Sequence, residues 1–232
     1  ASPDGRDPTA LPFAEVDYEE TIKGKPTKQK IGFIRNIGFG PTPDQEVLKL
    51  CEVAVKVFEQ MGNEIQDVVP PFNNGDLIQA ENFYQTRTLA ELDLLSSENR
   101  EKAEVINNWA DEAKHYSGVD HYRDYLGTQD LRSRMFRAMD GYDFLLLPTV
   151  PFPPFAAENP GLDDGDIFSP WCNTFVFNLT QQPALSMPCG KTSLGLPVGL
   201  QIVGRAQDDI GVLKMAKAYE DSIEYRVTIP KL

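Results

Sequence analysis

The apolar and polar positions after residue 30 predict a strand, a helix and a second strand. The run Ile31-Gly32-Phe33-Ile34 indicates a buried strand, which is predicted to extend over residues 31–36. Apolar residues then recur at spacings of three and four as far as about Gly62, which predicts a helix with one apolar face. A second short strand is predicted at residues 64–69, before a pair of prolines. This succession of strand, helix and strand favours a parallel sheet.

The residues just before this helix predict where it begins. Thr42 suits the N-cap position, and Pro43 suits the first helical position because its missing N–H would have no partner there. Gln45, three residues after Thr42, is placed to close a capping box. The helix is therefore predicted to begin directly after Thr42.

A stretch from about residue 76 to residue 140 has the composition of a helical insert. It is rich in Glu, Ala, Leu, Arg and Lys, and it predicts about three helices with breaks near Ser117–Gly118 and near Gly127. Its aromatic side chains either pack in a helical core or line a cavity. They are Phe83, Tyr84, Trp109, Tyr116, Tyr122 and Tyr125.

The last third of the chain predicts three more strands and a final helix. An apolar run predicts a strand at residues 143–148. Residues 184–189 and 198–204 fit two buried strands that are joined by a glycine-containing hairpin turn. Asp208 or Asp209 is predicted to cap the final helix.

The composition indicates a folded chain that does not bind polyanions. Of the 232 residues, 41% are hydrophobic, enough to bury a sizeable core. There are 35 acidic and 22 basic residues, and the resulting charge of −13 repels nucleic-acid phosphates and anionic lipid headgroups. No apolar run approaches the roughly 20 residues that cross a bilayer. We therefore expect no nucleic-acid partner, no membrane partner and a cytoplasmic location.

The residues that most often bind metals or cofactors show no ligand spacing. Cys51, Cys172 and Cys189 are far apart and lack a Cys-x-x-Cys pattern, so neither a zinc site nor a disulfide framework is predicted. The only histidines, His115 and His121, have no second ligand or nucleophile at helical spacing. We therefore expect no metal site and no cofactor.

Three blocks of sequence resemble the carboxy-terminal half of the amidase-signature family. They are YDFLLLPTVP from Tyr142, FNLTQQPALSMP from Phe177 and GLPVGLQIVGR from Gly195. Their order and approximate spacing agree with the family. The opening residues 4–12 look like the connection that follows the family's catalytic core, so the resemblance covers nearly the whole chain.

The resemblance implies an α/β fold in which a mixed β-sheet is flanked by helices on both faces. Residues 28–232 are then the carboxy-terminal part of a single amidase domain, which includes the helical insert. Residues 1–27, rich in Pro, Asp, Gly and Thr, form an extended connecting segment. A sheet without its other half has an open edge, so residues 1–232 expressed alone are expected to be insoluble or to form a homodimer.

Family members cleave amides with a serine nucleophile that is activated through a second serine and a lysine. No serine of this sequence stands in a glycine-rich cluster, and we assign no catalytic residue to it. Ser186 falls inside a predicted strand and Ser193 precedes a turn, so both are interpreted as structural. In the family, the segment before the Asn-Leu-Thr stretch lies along the substrate channel. The resemblance therefore implies substrate contacts by Phe168, Trp171, Thr174 and Phe175.

One main function and two alternatives follow. The chain is expected to be part of an amide hydrolase that acts on a small-molecule amide together with an amino-terminal half, in the same polypeptide or as a cleaved chain. The first alternative is a noncatalytic scaffold or binding domain derived from an amidase. The second is a subunit of glutamyl-tRNA amidotransferase. Such subunits typically carry a Gly-Leu-Pro-like sequence after the Asn-Leu pair, whereas this chain has Thr180-Gln181-Gln182-Pro183.

Overall fold

A five-stranded mixed sheet organises the fold in a computed structural model, which describes residues 5–6, 15–24, 26–159, 161–162 and 165–223. The strands are β1 (Lys30–Phe33), β2 (Glu64–Asp67), β3 (Phe144–Pro148), β4 (Ala184–Lys191) and β5 (Pro197–Gly204). Their order across the sheet is β2-β1-β3-β5-β4. Strand β1 is parallel to β2 and to β3, whereas β5 is antiparallel to β3 and to β4. The predicted mixed sheet and its parallel strand-helix-strand unit are confirmed.

Eight α-helices and two 3-10 turns accompany the sheet in the described residues. The helices are α1 (Tyr18–Thr21), α2 (Gln45–Gln60), α3 (Asn74–Leu92), α4 (Ser97–Glu101), α5 (Glu104–Ala110), α6 (Gly118–Ala138), α7 (Cys172–Thr180) and α8 (Asp209–Ser222). The 3-10 turns are Asp111–His115 and Ser169–Trp171. Of the two predicted caps of α8, Asp208 is the one observed, and its side chain accepts a hydrogen bond from the Gly211 N–H.

The helices cover both faces of the sheet, as predicted. On one face, α2 and α8 pack against Ile31, Leu146 and Ile202, and the rings of Phe58 and Tyr219 stack with centroids 5.1 Å apart. On the other face, α3, α6 and α7 pack against residues such as Leu145, Leu147 and Val203. Alternate residues of β3 therefore belong to two separate apolar clusters.

The predicted start of α2 is wrong by two residues. The N-cap is Asp44, whose carboxylate accepts hydrogen bonds from the backbone N–H groups of Glu46 at 2.8 Å and Val47 at 3.0 Å. Thr42 and Pro43 precede the helix. Asp44 is held in place because its own N–H donates to the Pro151 carbonyl at 2.7 Å, a contact from a distant part of the chain. A carboxylate also suits the positive end of the helix dipole.

The helical insert contains one uninterrupted long helix where a break was predicted. Ser117 caps α6 in a capping box with Asp120, which confirms the break near Ser117–Gly118. Gly127, however, lies inside α6. A Cβ atom at this position would be 2.3 Å from the Gln79 Oε1 atom of α3. The glycine therefore leaves room for the end of the Gln79 side chain and does not end the helix.

Two strand ends and the first segment also differ from expectation. Strand β1 ends at Phe33 and β2 ends at Asp67, earlier than the predicted ends at 36 and 69, because an apolar run does not reveal where the neighbouring strand stops. Within residues 1–27, expected to be extended, Tyr18–Thr21 form one helical turn that Asp17 caps. Residues 1–4, 7–14 and 25 lie outside the described residues.

Candidate substrate-binding surface on helix α7

Buried amide side chains fix α7 to the ends of the central strands. Asn173 donates a hydrogen bond from Nδ2 to the Pro148 carbonyl of β3 at 2.9 Å. Gln201 of β5 donates from Nε2 to the Asn173 carbonyl at 2.7 Å. Both side chains are buried, so their polar atoms need such partners. The start of α7 is thereby held at one position over β3 and β5.

The turn before α7 is fixed by a carboxylate. Asp166 accepts hydrogen bonds at Oδ1 from the backbone N–H groups of Phe168 and Ser169, both at 2.9 Å, and its Oδ2 accepts from the Ser169 hydroxyl. These contacts begin the 3-10 turn that leads into α7 at Cys172. Asp166 therefore holds the backbone of this turn in place.

The four residues implied as substrate contacts divide into two pairs. Phe168 and Phe175 are buried, and their rings lie 4.7 Å apart. Phe168 also contacts the rings of Tyr84 at 5.6 Å and Trp109 at 5.7 Å. These two phenylalanines are therefore packed among aromatic residues of the helical insert. Tyr84 and Trp109, which were expected either to pack in a core or to line a cavity, pack in the core.

Trp171 and Thr174 differ from this pair: Trp171 ends the 3-10 turn and is the N-cap residue of α7, and Thr174 lies in the first turn of the helix. The Trp171 side chain is 46% exposed, and Thr174 is partly exposed. Together with exposed Asn178 they follow a spacing of three and four residues, and we call these three residues the α7 outer face. The Thr174 hydroxyl donates to the Trp171 carbonyl at 2.9 Å, so its donor is already used. The α7 outer face therefore presents one large aromatic surface beside a threonine.

Two titratable groups of α3 lie behind this helix. Burial raises the pKa of the Tyr84 hydroxyl, while Arg87 and a hydrogen bond with Asn178 act in the opposite direction. Burial also raises the pKa of Glu81, against the effect of the Trp109 indole N–H, which donates to Glu81 Oε1 at 2.8 Å. Glu81 and Tyr84 thus lie partly buried beside the aromatic residues, and each has a polar partner.

A pair of hydroxyls lies at the end of the sheet near α7. Thr149 Oγ1 and Ser186 Oγ are 2.6 Å apart. Gly199 of β5 leaves room for them, because a Cβ atom there would be 2.6 Å from the Ser186 oxygen and 2.7 Å from the Thr149 oxygen. Ser186 is exposed, and within the described residues no strand pairs with the outer edge of β4. Ser186 is thus a strand residue, as interpreted, with a partner on the loop after β3.

Ser193, the other serine considered, fixes the hairpin between β4 and β5. Its backbone N–H donates to Glu46 Oε1 at 2.5 Å, and its hydroxyl lies 3.3 Å from Glu46 Oε2. Glu46 belongs to the first turn of α2. The contact therefore joins the hairpin tip to a helix, which accords with the structural interpretation.

An open cavity of about 400 Å³ lies at the carboxyl ends of β1 and β2. Its lining includes Arg35, Asn36, Phe39 and Val68, and none of the four predicted contacts. Phe39 connects it to α7, since its ring stacks on Phe175 with centroids 5.9 Å apart and planes 4° from parallel. The contact between Phe39 and Phe175 therefore joins the cavity to α7.

The sequence patterns did not single out Asn173, Gln201, Tyr84 or Thr149. A signal was present for the first two, because each is a polar residue inside an otherwise apolar run and so needs a buried partner. Tyr84 was noted only among the aromatic residues with two open roles. Nothing in the sequence pairs Thr149 with Ser186, since the two are 37 residues apart.

Two absences apply to the described part of the chain. Nowhere among these residues do three His, Cys, Asp or Glu side chains come together in a way that would hold a metal ion. Of the helices between residues 15 and 223, none combines the length and the apolar character required to span a bilayer.

Comparison with known proteins assigns the family. Residues 1–213 match the family model described as Amidase, so the chain belongs to the amidase family. The resemblance to amidase-signature proteins is therefore confirmed.

Individual relatives fit this assignment. The chain is 31% identical to an acylamidase of Rhodococcus erythropolis over 95% of this chain and 48% of the relative. It is 29% identical to a glutamyl-tRNA(Gln) amidotransferase subunit of Acaryochloris marina (strain MBIC 11017) over 99% of this chain and 52% of the relative. The structure of a bacterial aryl acylamidase superimposes with a TM-score of 0.80 at 24% identity, over 94% of this chain and 48% of that one. The chain thus spans about half the length of the proteins it matches.

Proposed function

We propose that this chain is the carboxy-terminal part of an amide hydrolase and supplies one wall of its substrate pocket. The observation that carries the proposal is the edge of β4, with which no described strand pairs, in a chain that spans about half the length of its relatives. The amino-terminal part of the same enzyme, in the same polypeptide or as a cleaved chain, is proposed to pair with this edge and to cover the α7 outer face.

The chemistry requires that second part. Hydrolysis through a serine acyl-enzyme needs a nucleophile, a base that removes its proton, and hydrogen-bond donors for the oxyanion. In this chain Ser186 is engaged with Thr149, and Ser193 with Glu46. The proposed serine, its partner serine and the lysine therefore belong to the amino-terminal part.

The α7 outer face suits the non-reacting part of an amide. The indole of Trp171 offers a flat apolar surface, and ligand pockets are mostly lined by such surfaces with a few polar groups. Phe168 and Phe175 support the helix from behind, so that Trp171 is held on a rigid element. We therefore assign Trp171 and Thr174 to direct substrate contact and the two phenylalanines to positioning the helix.

The test is a truncation of Trp171 in the intact enzyme that contains this chain. For Trp171→Ala we expect a loss of about tenfold or more in kcat/KM, about 1.4 kcal/mol of transition-state binding, on aryl amides. Trp171→Phe should retain most of the activity. Tyr122→Ala is the matched control, because Tyr122 is also a large exposed aromatic residue but lies on α6. An unchanged kcat/KM for Trp171→Ala across aryl, alkyl and cyclic amides would remove this assignment.

A role within a glutamyl-tRNA amidotransferase is the second candidate, supported by the amidotransferase relatives. The Gln181-Gln182 pair, where such subunits typically carry Gly-Leu, favours a stand-alone amidase instead. Copurification of the source protein with partner subunits, together with glutamine-dependent activity, would reverse this order. A complete gene product that cleaves none of the amides and has no such partners would favour the noncatalytic scaffold.

A further inference from the structure

Two of the three cysteines face each other between α2 and β4. The Sγ atoms of Cys51 and Cys189 are 4.0 Å apart, although the residues are 138 positions apart in sequence. Helix α2 lies directly over this end of β4, since a Cβ atom on Gly190 would be 2.9 Å from the Leu50 side chain. The pair is therefore built into the contact between a helix and an edge strand.

The two thiols are held only by weak contacts. Cys51 Sγ lies 3.9 Å from the Gly199 carbonyl, and Cys189 Sγ lies 3.4 Å from the Val198 carbonyl. Thiols are weak donors, so these contacts offer little resistance to a side-chain rotation. The strand is also irregular here, because its register shifts between Pro188 and Gly190. A bulged edge strand can adjust more easily to the bond length of a disulfide.

The two sulfur atoms differ in access. Cys51 is fully buried, whereas Cys189 is partly exposed on the edge strand. A small oxidant therefore reaches Cys189 first. The neighbouring thiol and burial raise the pKa of Cys51, which keeps its proton until the second step.

We propose that Cys51 and Cys189 are an oxidation site that closes to an intrachain disulfide when the protein meets hydrogen peroxide. The Cys189 sulfur attacks the O–O bond of the peroxide, which gives a sulfenic acid and one water. The Cys51 sulfur then attacks the sulfenic sulfur; the S–S bond forms, the S–O bond breaks, and the oxygen leaves with the Cys51 proton as a second water. Both thiols are oxidised by one peroxide, and no other reactant is needed. The proposal needs no catalytic role of this chain, but it requires that hydrogen peroxide still reaches Cys189 when the proposed amino-terminal part covers the edge of β4.

Cys172 is an internal control. It lies on the other face of the sheet, where its Sγ contacts the Asn173 side chain at 3.5 Å. Cys172 belongs to the apolar cluster on that face, whereas Cys51 and Cys189 belong to the cluster on the other, so the sheet separates Cys172 from both thiols. Oxidation is therefore expected at one pair of thiols, with the third remaining free.

The experiment is peroxide treatment of the purified protein that contains this chain, followed by denaturation, thiol alkylation and non-reducing peptide mapping. We expect the mass to fall by two hydrogen masses, one link between the Cys51 and Cys189 peptides, and an alkylated Cys172. The linked form should melt at a higher temperature than the reduced form, because the bond closes a long loop. Reduction should reverse both changes.

Substitutions make the result specific. Cys172→Ser should still form the link, whereas Cys51→Ser should stop at an oxidised Cys189 that carries added oxygen. If Cys51→Ser fails to fold, the peptide map of the unsubstituted protein still shows whether Cys51 and Cys189 become linked. The proposal is overturned if both Cys51 and Cys189 remain fully alkylatable after peroxide treatment, or if the link found involves Cys172 or a second molecule.

Discussion

The two edges of the sheet are built differently. Strand β2 has four residues, Glu64–Asp67, with mostly exposed side chains, and Asp67 forms an ion pair with Arg35. Strand β4 has eight residues, Ala184–Lys191, and a single charged residue at its end. Short strands and charged side chains discourage pairing with another strand, and so do prolines and bulges, which β4 has only in its second half, at Pro188 and between Pro188 and Gly190. The first half of β4, residues 184–187, is therefore the part of this edge on which another strand can pair.

The surroundings of the two edges differ in the same sense. Beside β2, Arg35 joins Asp67 to Glu52 of α2 in an exposed charged group. On β4, Ser186 pairs with the neutral hydroxyl of Thr149. A partner that extended the sheet at β4 would therefore meet neutral groups at this point of the edge.

The largest expected effect is on self-association through β4. For the 232-residue chain, Ala184→Lys should weaken association by about tenfold or more, about 1.4 kcal/mol, since a lysine on an edge strand opposes pairing. Sedimentation velocity over a range of concentrations measures this. Gln66→Lys adds the same charge on exposed β2 and should change nothing. Equal effects at both positions would mean that the edges do not differ, and a monomer at all concentrations would mean that β4 does not pair.

A smaller effect is expected where α7 leads into β4. Gln181 ends α7 in the left-handed region with φ 58°, which is unfavourable for a residue with a Cβ atom. Gln181→Gly should raise the free energy of unfolding by about 0.5–1 kcal/mol, measured by denaturant unfolding. Gln181→Ala keeps the Cβ atom and should give no such gain. A destabilising Gln181→Gly would mean that the Gln181 side chain contributes more than its backbone strain costs.

The smallest effect is expected beside β2. Arg35→Gln should lower the free energy of unfolding by about 0.5 kcal/mol, because exposed ion pairs contribute little. The loss should shrink further in high salt, which screens exposed charges. The same denaturant titrations at low and high salt measure it. A loss of several kcal/mol that persists in high salt would show that the charges beside β2 stabilise the fold itself. Their role would then not be limited to discouraging another strand from pairing with β2.

Much of this arrangement was predictable from local pattern. Runs such as FLLLP predict buried strands because they contain no polar position, and Asp208 caps α8 because a carboxylate can accept from the Gly211 N–H. The start of α2 was not predictable in this way. Thr42 and Asp44 are both good caps by type, and the contact of Asp44 with Pro151, more than 100 residues away, fixes the choice.

The candidate site shows the same limit. The four predicted contacts were grouped by a resemblance between sequences, and helical geometry then separates them into two buried rings and two outward residues. Asn173 and Gln201 decide how α7 is oriented, yet their partners are backbone carbonyls that no side-chain pattern identifies. Gly127 suggested a helix break because its close neighbour on α3 is not visible in the sequence.

The order of the elements was readable in the hydrophobic periodicity of the sequence, and the resemblance of three sequence blocks implied the family and the mixed α/β fold, because periodicity and motif order are both local properties of the chain. Folding in three dimensions was needed to establish which strands are edges, which face of α7 is outward and which cysteines meet. Those facts depend on contacts between residues far apart in sequence, and their geometry is set by the packing of the whole sheet.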